Sequence, residues 1–246
     1  MKEVESVSVS RDRKWMRGNR DEHCTEKEIV LQEMVAAGIQ YGHSTQSWHP
    51  KIYRYIYGIR NGTHLIDLLK TYYQVNEAQR FLGTVRQKGN KFLFVGTKTQ
   101  ASKVVEERAI CSSSYFVKER WLGGILTNWH TVKKSLLKLH RMERENKDGF
   151  SPKKAVTFRK RLHRLERYLG GLKGMHSFPG TVIIIGQTKE LPAVQECINL
   201  DIPMIRRLDT DCDPRFTQVG VPMNDDSEPR NRLFLQSLVP RISLYR

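Results

Sequence analysis

No apolar run in this 246-residue chain approaches the ~20 residues that a membrane-spanning helix needs. The longest, Val182 to Ile185, has the length of a strand. Cysteine is scarce. Cys24, Cys111, Cys197 and Cys212 form no CxxC pair and match no zinc spacing, which excludes a disulfide scaffold or a zinc ribbon. They read as reduced thiols of an interior compartment. The glycine signatures GxGxxG and GxxxxGK(S/T) are absent. No Ser/His/Asp triad, Cys/His pair or paired-carboxylate constellation is legible, so no catalytic residue, no cofactor and no enzymatic activity are expected. Acidic residues are also few, 26 against 42 Lys and Arg. The net charge of +16 and pI of about 9.8 attract polyanions. With no membrane segment, nucleic acid is the favoured partner.

What is present suffices for a globular core, with 39% hydrophobic and 9% aromatic residues. Met1 to Cys24 has no apolar signal core, and its acids argue against a transit peptide; a mobile extension is expected over 1–24. Thr25 and Glu28 fit a capping box, and Ile29, Val30, Met34 and Val35 recur at helical spacing until Gly38. Pro50 and Asn61-Gly62 mark turns. The alternation of Tyr53, Tyr55 and Tyr57 predicts a short strand, and Leu65 to Val85 a helix.

Two strand–helix–strand units follow. The first is Lys91–Thr97, Gln100–Ala109 and Tyr115–Val117; the second is Thr181–Gln187, Pro192–Leu200 and Ile202–Asp209. Val219–Met223 adds a strand. A last helix covers Arg230–Leu238, begun by Asp225 or Asp226 and ended at Pro240. Continuous apolar strands alternating with helices predict an α/β fold, a Rossmann-like (flavodoxin-like) parallel sheet covered by helices.

Between the units, Thr131–Asn146 and Ser151–Leu169 are helical in pattern, with Lys147-Asp148-Gly149-Phe150 as the turn. Ala155, Phe158, Leu162, Leu165 and Leu169 step by three and four, and Val132, Leu136, Leu139 and Met142 supply a matching seam. An antiparallel coiled-coil hairpin inserted over 131–169 is expected, with the sheet domain over 25–130 and 170–246. From Lys133 to Lys173 stand 14 Lys or Arg against 4 Asp or Glu, a net of +10. A solvated coiled-coil face usually mixes signs. One-sided charge beside a narrow seam favours a phosphate backbone.

Other segments carry weaker signals. GTKTQ after the Lys91–Thr97 strand resembles half a phosphate cradle, and Asp209 and Asp211 near a strand end could serve one. His43 and His49 could share a metal, but a lone His is more often simply hydrogen-bonded, and no metal is assigned. Trp48, Tyr53 and Tyr55, with Lys51, Arg54 and Arg60, suit base stacking and phosphate contact; packing in a small core fits each ring equally. In RWLGGILTNW, packing is favoured for Trp121 and Trp129, and contact with RNA or protein for Arg120 and Asn128.

GIQYGHSTQSWHPK, YGIRNGTHLIDL, KFLFVGTK, RWLGGILTNW, YLGGLKGM and LDTDCDP, in this order from about Glu26 to Asp226, resemble the bacterial-type ribosomal protein S2 family. The YLGGLKGM and VQECINLDIPM segments are similar to cyanobacterial and plastid members, which implies a chloroplast ribosome, with the bacterial cytoplasm and the mitochondrion as alternatives. The resemblance implies a Rossmann-like sheet without nucleotide chemistry and a role as structural constituent of the small ribosomal subunit. It implies contact with small-subunit ribosomal RNA and neighbouring small-subunit proteins, including the messenger-binding protein S1. It places RNA contacts on Lys51, Arg60, Lys98, Arg120 and the hairpin cations, namely Lys133, Lys134, Lys138, Arg141, Lys153, Lys154, Arg159, Lys160, Arg161 and Arg164. The chain departs from the family where Gln46 replaces a usual Arg, at Arg215-Phe216, and where Ser227-Glu228-Pro229 precedes the last helix; Pro229 fits only a first turn. The alternatives are a nucleotide-dependent enzyme on a doubly wound sheet, and a non-ribosomal protein scaffold.

Overall fold

A computed structural model describes residues 26–145, 152–186, 189–224 and 226–243. The expected extension over 1–24, the Thr25 cap, the Lys147–Phe150 turn and a helix start at Asp225 lie outside the described residues. Helix α1 (Glu26–Ala36) ends at Gly38, whose φ of 69° is the left-handed conformation that glycine tolerates at a helix end. Strands β1 (Tyr41–Ser44), β2 (Ile56–Arg60) and β3 (Thr63–Ile66) then form an antiparallel sheet in the order β1-β3-β2. Asn61 and Gly62, with φ of 50° and 73°, turn β2 into β3 as an Asn-Gly hairpin does.

Two local expectations are corrected here. Tyr53 and Tyr55 lie in a 3-10 helix (Pro50–Tyr55), and only Tyr57 enters a strand. Pro50 has its φ already fixed for a helical turn, and the His49 side chain accepts the Lys51 N–H at 3.3 Å to cap it. The helix read from Leu65 starts at Leu68, because Asp67 accepts the N–H groups of Leu69 and Lys70 (3.0 and 3.3 Å) and closes the N-terminus there. This is α2 (Leu68–Gln87).

The second sheet is parallel: β4 (Phe92–Val95), β5 (Tyr115–Val117), β6 (Thr181–Ile184), β7 (Met204–Leu208) and β8 (Val219–Pro222), in the order β5-β4-β6-β7-β8. Counted from β4 that is 2-1-3-4-5, the flavodoxin-like order, as the alternating pattern predicted. Helices α2, α3 (Thr99–Cys111) and α7 (Glu228–Ser243) cover one face over Phe92, Phe94, Ile183, Ile205 and Val221. On the other face α6 (Leu191–Asn199), Trp121 and Leu126 pack over Leu93, Val95 and Val182.

Helix α4 (Trp129–Arg144) and helix α5 (Pro152–Leu169) leave this second face. Gly171, just after α5, lies so close to β5 that a Cβ there would sit 2.2 Å from the Phe116 carbonyl oxygen. Only glycine allows the returning chain to lie flush against the strand. In α7, Pro229 occupies the first turn as expected, but the helix runs past Pro240 to Ser243. A proline removes one hydrogen bond and bends a helix, and so near the end that did not stop the last turn.

Candidate nucleic-acid interface

The heptad spacing of α5 is matched by its burial. Among its described side chains the least exposed are Ala155, Phe158, Leu162, Leu165, Tyr168 and Leu169; the other described ones, from Lys153 on, face solvent. In α4 the buried residues are Leu136, Leu139 and Met142, with Val132 half-buried. Leu136, Leu165 and Leu169 join the core beneath α6, so this end of the pair is rooted in the sheet domain. Farther out, a groove of about 850 Å³ runs between the helices, floored by Leu137, Met142 and Phe158 and rimmed by Lys134, Arg141, Lys153 and Arg161.

The cations divide into two groups. Two are neutralised: Arg167 pairs with Glu119 at 2.8 Å, and Lys173 with Glu143 at 2.5 Å and Glu166 at 3.2 Å. These carboxylates hold both side chains above their ordinary pKa. Lys133, Lys134, Lys138, Arg141, Lys153, Lys154, Arg159, Lys160, Arg161 and Arg164 are all exposed. None of these ten pairs with an acid among the described residues. Unneutralised charge at this density repels itself, and it is relieved when phosphates displace the counterions.

The remaining predicted residues are dispersed. Arg54 and Arg60 are exposed on the 3-10 helix and at the end of β2, next to the exposed rings of Tyr53 (62%) and Tyr57 (79%). Lys51 lies 3.8 Å from Asp213 and is partly neutralised. Arg120 is exposed before the Gly123-Gly124 turn, and Asn128 is exposed at the start of α4. Of the rings weighed for stacking, Trp48 packs on buried His64 (4.9 Å between centroids) and Tyr55 on Ile52 and Leu208, which leaves Tyr53 available. Trp121 is buried and Trp129 packs against Phe178, so both tryptophans serve packing as expected.

Glu196 was not legible as a functional residue, yet it builds the RWLGGILTNW loop. Its carboxylate accepts the Trp121 indole N–H (2.8 Å), the N–H groups of Gly124, Leu126 and Thr127 (2.7, 2.8 and 3.1 Å) and the Thr127 hydroxyl. Burial pushes its pKa up, but the indole and backbone donors outweigh that and hold it below the ordinary value.

The phosphate-cradle reading of GTKTQ fails for a specific reason. Lys98 stands at the start of α3, beside a small cavity of about 310 Å³ at the point where the strand order reverses. There the carboxylate of buried Glu190 accepts the Thr97 N–H (2.8 Å) and hydroxyl (2.6 Å). The anion position of a nucleotide-binding turn thus holds a resident carboxylate, which would repel a phosphate.

Asp209 and Asp211 serve a different partner from the one considered for them. The YGHS and LDTDCDP motifs meet: Gly42 lies so close to Thr210 that a Cβ would sit 2.4 Å from its methyl, and the His43 N–H donates to the Thr210 hydroxyl at 2.7 Å. The His43 Nδ1 lies 3.1 Å from Oδ1 of buried Asp209, and that contact, outweighing burial, raises the imidazole pKa to about 9. His49 faces Asp213 instead, at 3.9 Å, so the two histidines do not form the shared site considered for them.

Residues 34–243 match the family model described as Ribosomal protein S2. The chain is 44% identical over 220 residues to the small ribosomal subunit protein uS2c of Mesostigma viride, a match covering 88% of this chain and 96% of the relative. It is 46% identical over 213 residues to uS2c of Chlorella vulgaris, covering 85% and 80%. It is 44% identical over 218 residues to uS2 of Synechococcus elongatus, covering 87% of each.

Proposed function

The chain belongs to the ribosomal protein S2 family, and from that premise we propose that it grips small-subunit ribosomal RNA chiefly through the exposed cations of α4 and α5. It is a structural protein of the small ribosomal subunit and not an enzyme. The observation that carries the reading is the contrast between the ion-paired Arg167 and Lys173 and ten exposed cations of α4 and α5 that have no acidic partner among the described residues. Arg54, Arg60, Arg120 and Asn128 extend the same contact to the sheet domain, with Lys51 and Lys98 as weaker contributors. In this reading residues 131–169 form a coiled-coil arm inserted between the halves of the sheet domain, 25–130 and 170–246.

The neighbours include other small-subunit proteins. Family resemblance supports the messenger-binding protein S1 among them. Similarity to uS2c proteins of two green algae and to cyanobacterial uS2 supports a chloroplast ribosome as the site of action.

The test is a charge reversal. With Arg159, Lys160, Arg161 and Arg164 changed to Glu, affinity for small-subunit ribosomal RNA is expected to fall at least about 100-fold near physiological salt, and the dependence of log K on log salt to flatten. An unchanged salt slope, measured by filter binding across a salt series, places the RNA elsewhere. Crosslinks from the helices to protein but not to RNA would favour the scaffold reading.

A further inference from the structure

Where the two sheets meet, His43, Asp209 and Asp211 bring one imidazole nitrogen and two carboxylate oxygens within 4.8 Å of one another. We propose that these three side chains bind a divalent first-row transition-metal ion that clamps β1 to the loop after β7. This goes beyond the RNA-binding reading and does not depend on it.

Three observations support the site. The first is spacing. Ligands held roughly 2.1 Å from a shared ion lie about 3.0–3.4 Å apart when adjacent. His43 Nδ1 and Asp209 Oδ1 are 3.1 Å apart. That nitrogen is shielded from solvent. The second is charge. In a chain of net +16, the segment after β7 places acids at 209, 211 and 213, and Asp209, Asp211 and Asp226 all act on His43. The Asp209 side chain is 1% exposed. The third is rigidity. His43 is held by its backbone N–H on Thr210, the Thr210 carbonyl accepts the His49 N–H at 2.8 Å, and the Thr210 N–H and hydroxyl donate to Asp209 Oδ1 at 2.6 and 3.3 Å. These bonds orient the ligands from behind, as outer-shell partners do in metal sites.

One nitrogen and two oxygens suit Zn2+, Mn2+ or Fe2+ better than Mg2+, which prefers an all-oxygen shell. Three protein ligands leave positions for water. The ion's role is structural, since it ties residues 166 positions apart in the chain.

The full-length chain, stripped with a chelator, is titrated calorimetrically with Zn2+, and separately with Co2+ while its visible d–d bands are followed. One equivalent should bind, with a Co2+ spectrum showing nitrogen ligation and a rise in Tm that chelator reverses. Asp211→Asn and His43→Gln should each weaken binding by about 100-fold or more. His49→Gln, at the neighbouring Asp213 contact, should leave it unchanged. A parent chain that binds no ion overturns the proposal, as does retention of parental affinity in Asp211→Asn. If His43→Gln misfolds by circular dichroism, Asp211→Asn, whose side chain is only partly buried, decides alone.

Discussion

A single buried carboxylate can organise a loop of ten residues, and Glu196 does so for RWLGGILTNW. Glutamine is its near-isostere but a poor substitute. Its amide has one acceptor oxygen, and its NH2 would face N–H groups that need an acceptor. Glu196→Gln should therefore lower stability by about 2–3 kcal/mol in chemical denaturation at neutral pH. Because the folded state holds this carboxyl below its ordinary value of 4.5, its contribution is fully present above that value and is lost as pH falls through the depressed one. The gap between parent and variant should thus shrink in acid; a gap constant from pH 7 to 3 would mean the charge is not what holds the loop. Nothing in VQECINL announces this role. A lone Glu on a short amphipathic helix reads as surface, and only the fold brings Trp121 and the Gly124 turn to it.

Elements follow their local patterns where one period dominates. The steps of three and four in α5 place the same five residues inward that the sequence picked out, because a helix has only one way to turn such a stripe from water. Phe92–Val95 and Val182–Ile185 were equally plain as unbroken apolar runs followed by glycine, whereas β7 carries buried Arg206 and Arg207 in its middle. The small antiparallel sheet was not, since its strands are four or five residues long and half-exposed, and alternating tyrosines continued a strand pattern through a 3-10 helix. The joint between α5 and β5 can be tested directly. Gly171→Ala would set a methyl 2.2 Å from the Phe116 carbonyl oxygen, which is backbone and cannot swing aside. A loss of about 2–4 kcal/mol is expected, against a few tenths for Gly170→Ala, whose new methyl would make only an ordinary contact with Glu166. Equal effects at the two positions would show that the root of the helices is not tightly packed.

For the whole molecule, the sequence made the excess positive charge legible, but not where the fold sets it. Glu190 fills the one place where a doubly wound sheet would hold a phosphate, and the cations were placed on the helices outside the sheet. The seam that joins the sheets was hidden for a related reason: its two halves are 166 residues apart, and each looked like an isolated His or a strand-end acid. If sheet and helices carry separate tasks, they can be separated. Replacing residues 137–164 by a short Gly-Ser linker keeps Leu136, Leu165 and Leu169, which root the helices in the core. It removes ten Lys or Arg against three Asp or Glu, lowering the net charge from +16 to +9. The shortened chain should still unfold in one cooperative transition, since neither face of the parallel sheet loses a covering residue. Its affinity for ribosomal RNA should lose about 0.7–0.9 from the log–log salt slope for each phosphate contact removed, several units in all. A shortened chain that folds and keeps the parental slope would move the RNA contact to the exposed cations around Tyr53 and Tyr57. One that no longer unfolds cooperatively would show that the helices are part of the core rather than an arm mounted on it.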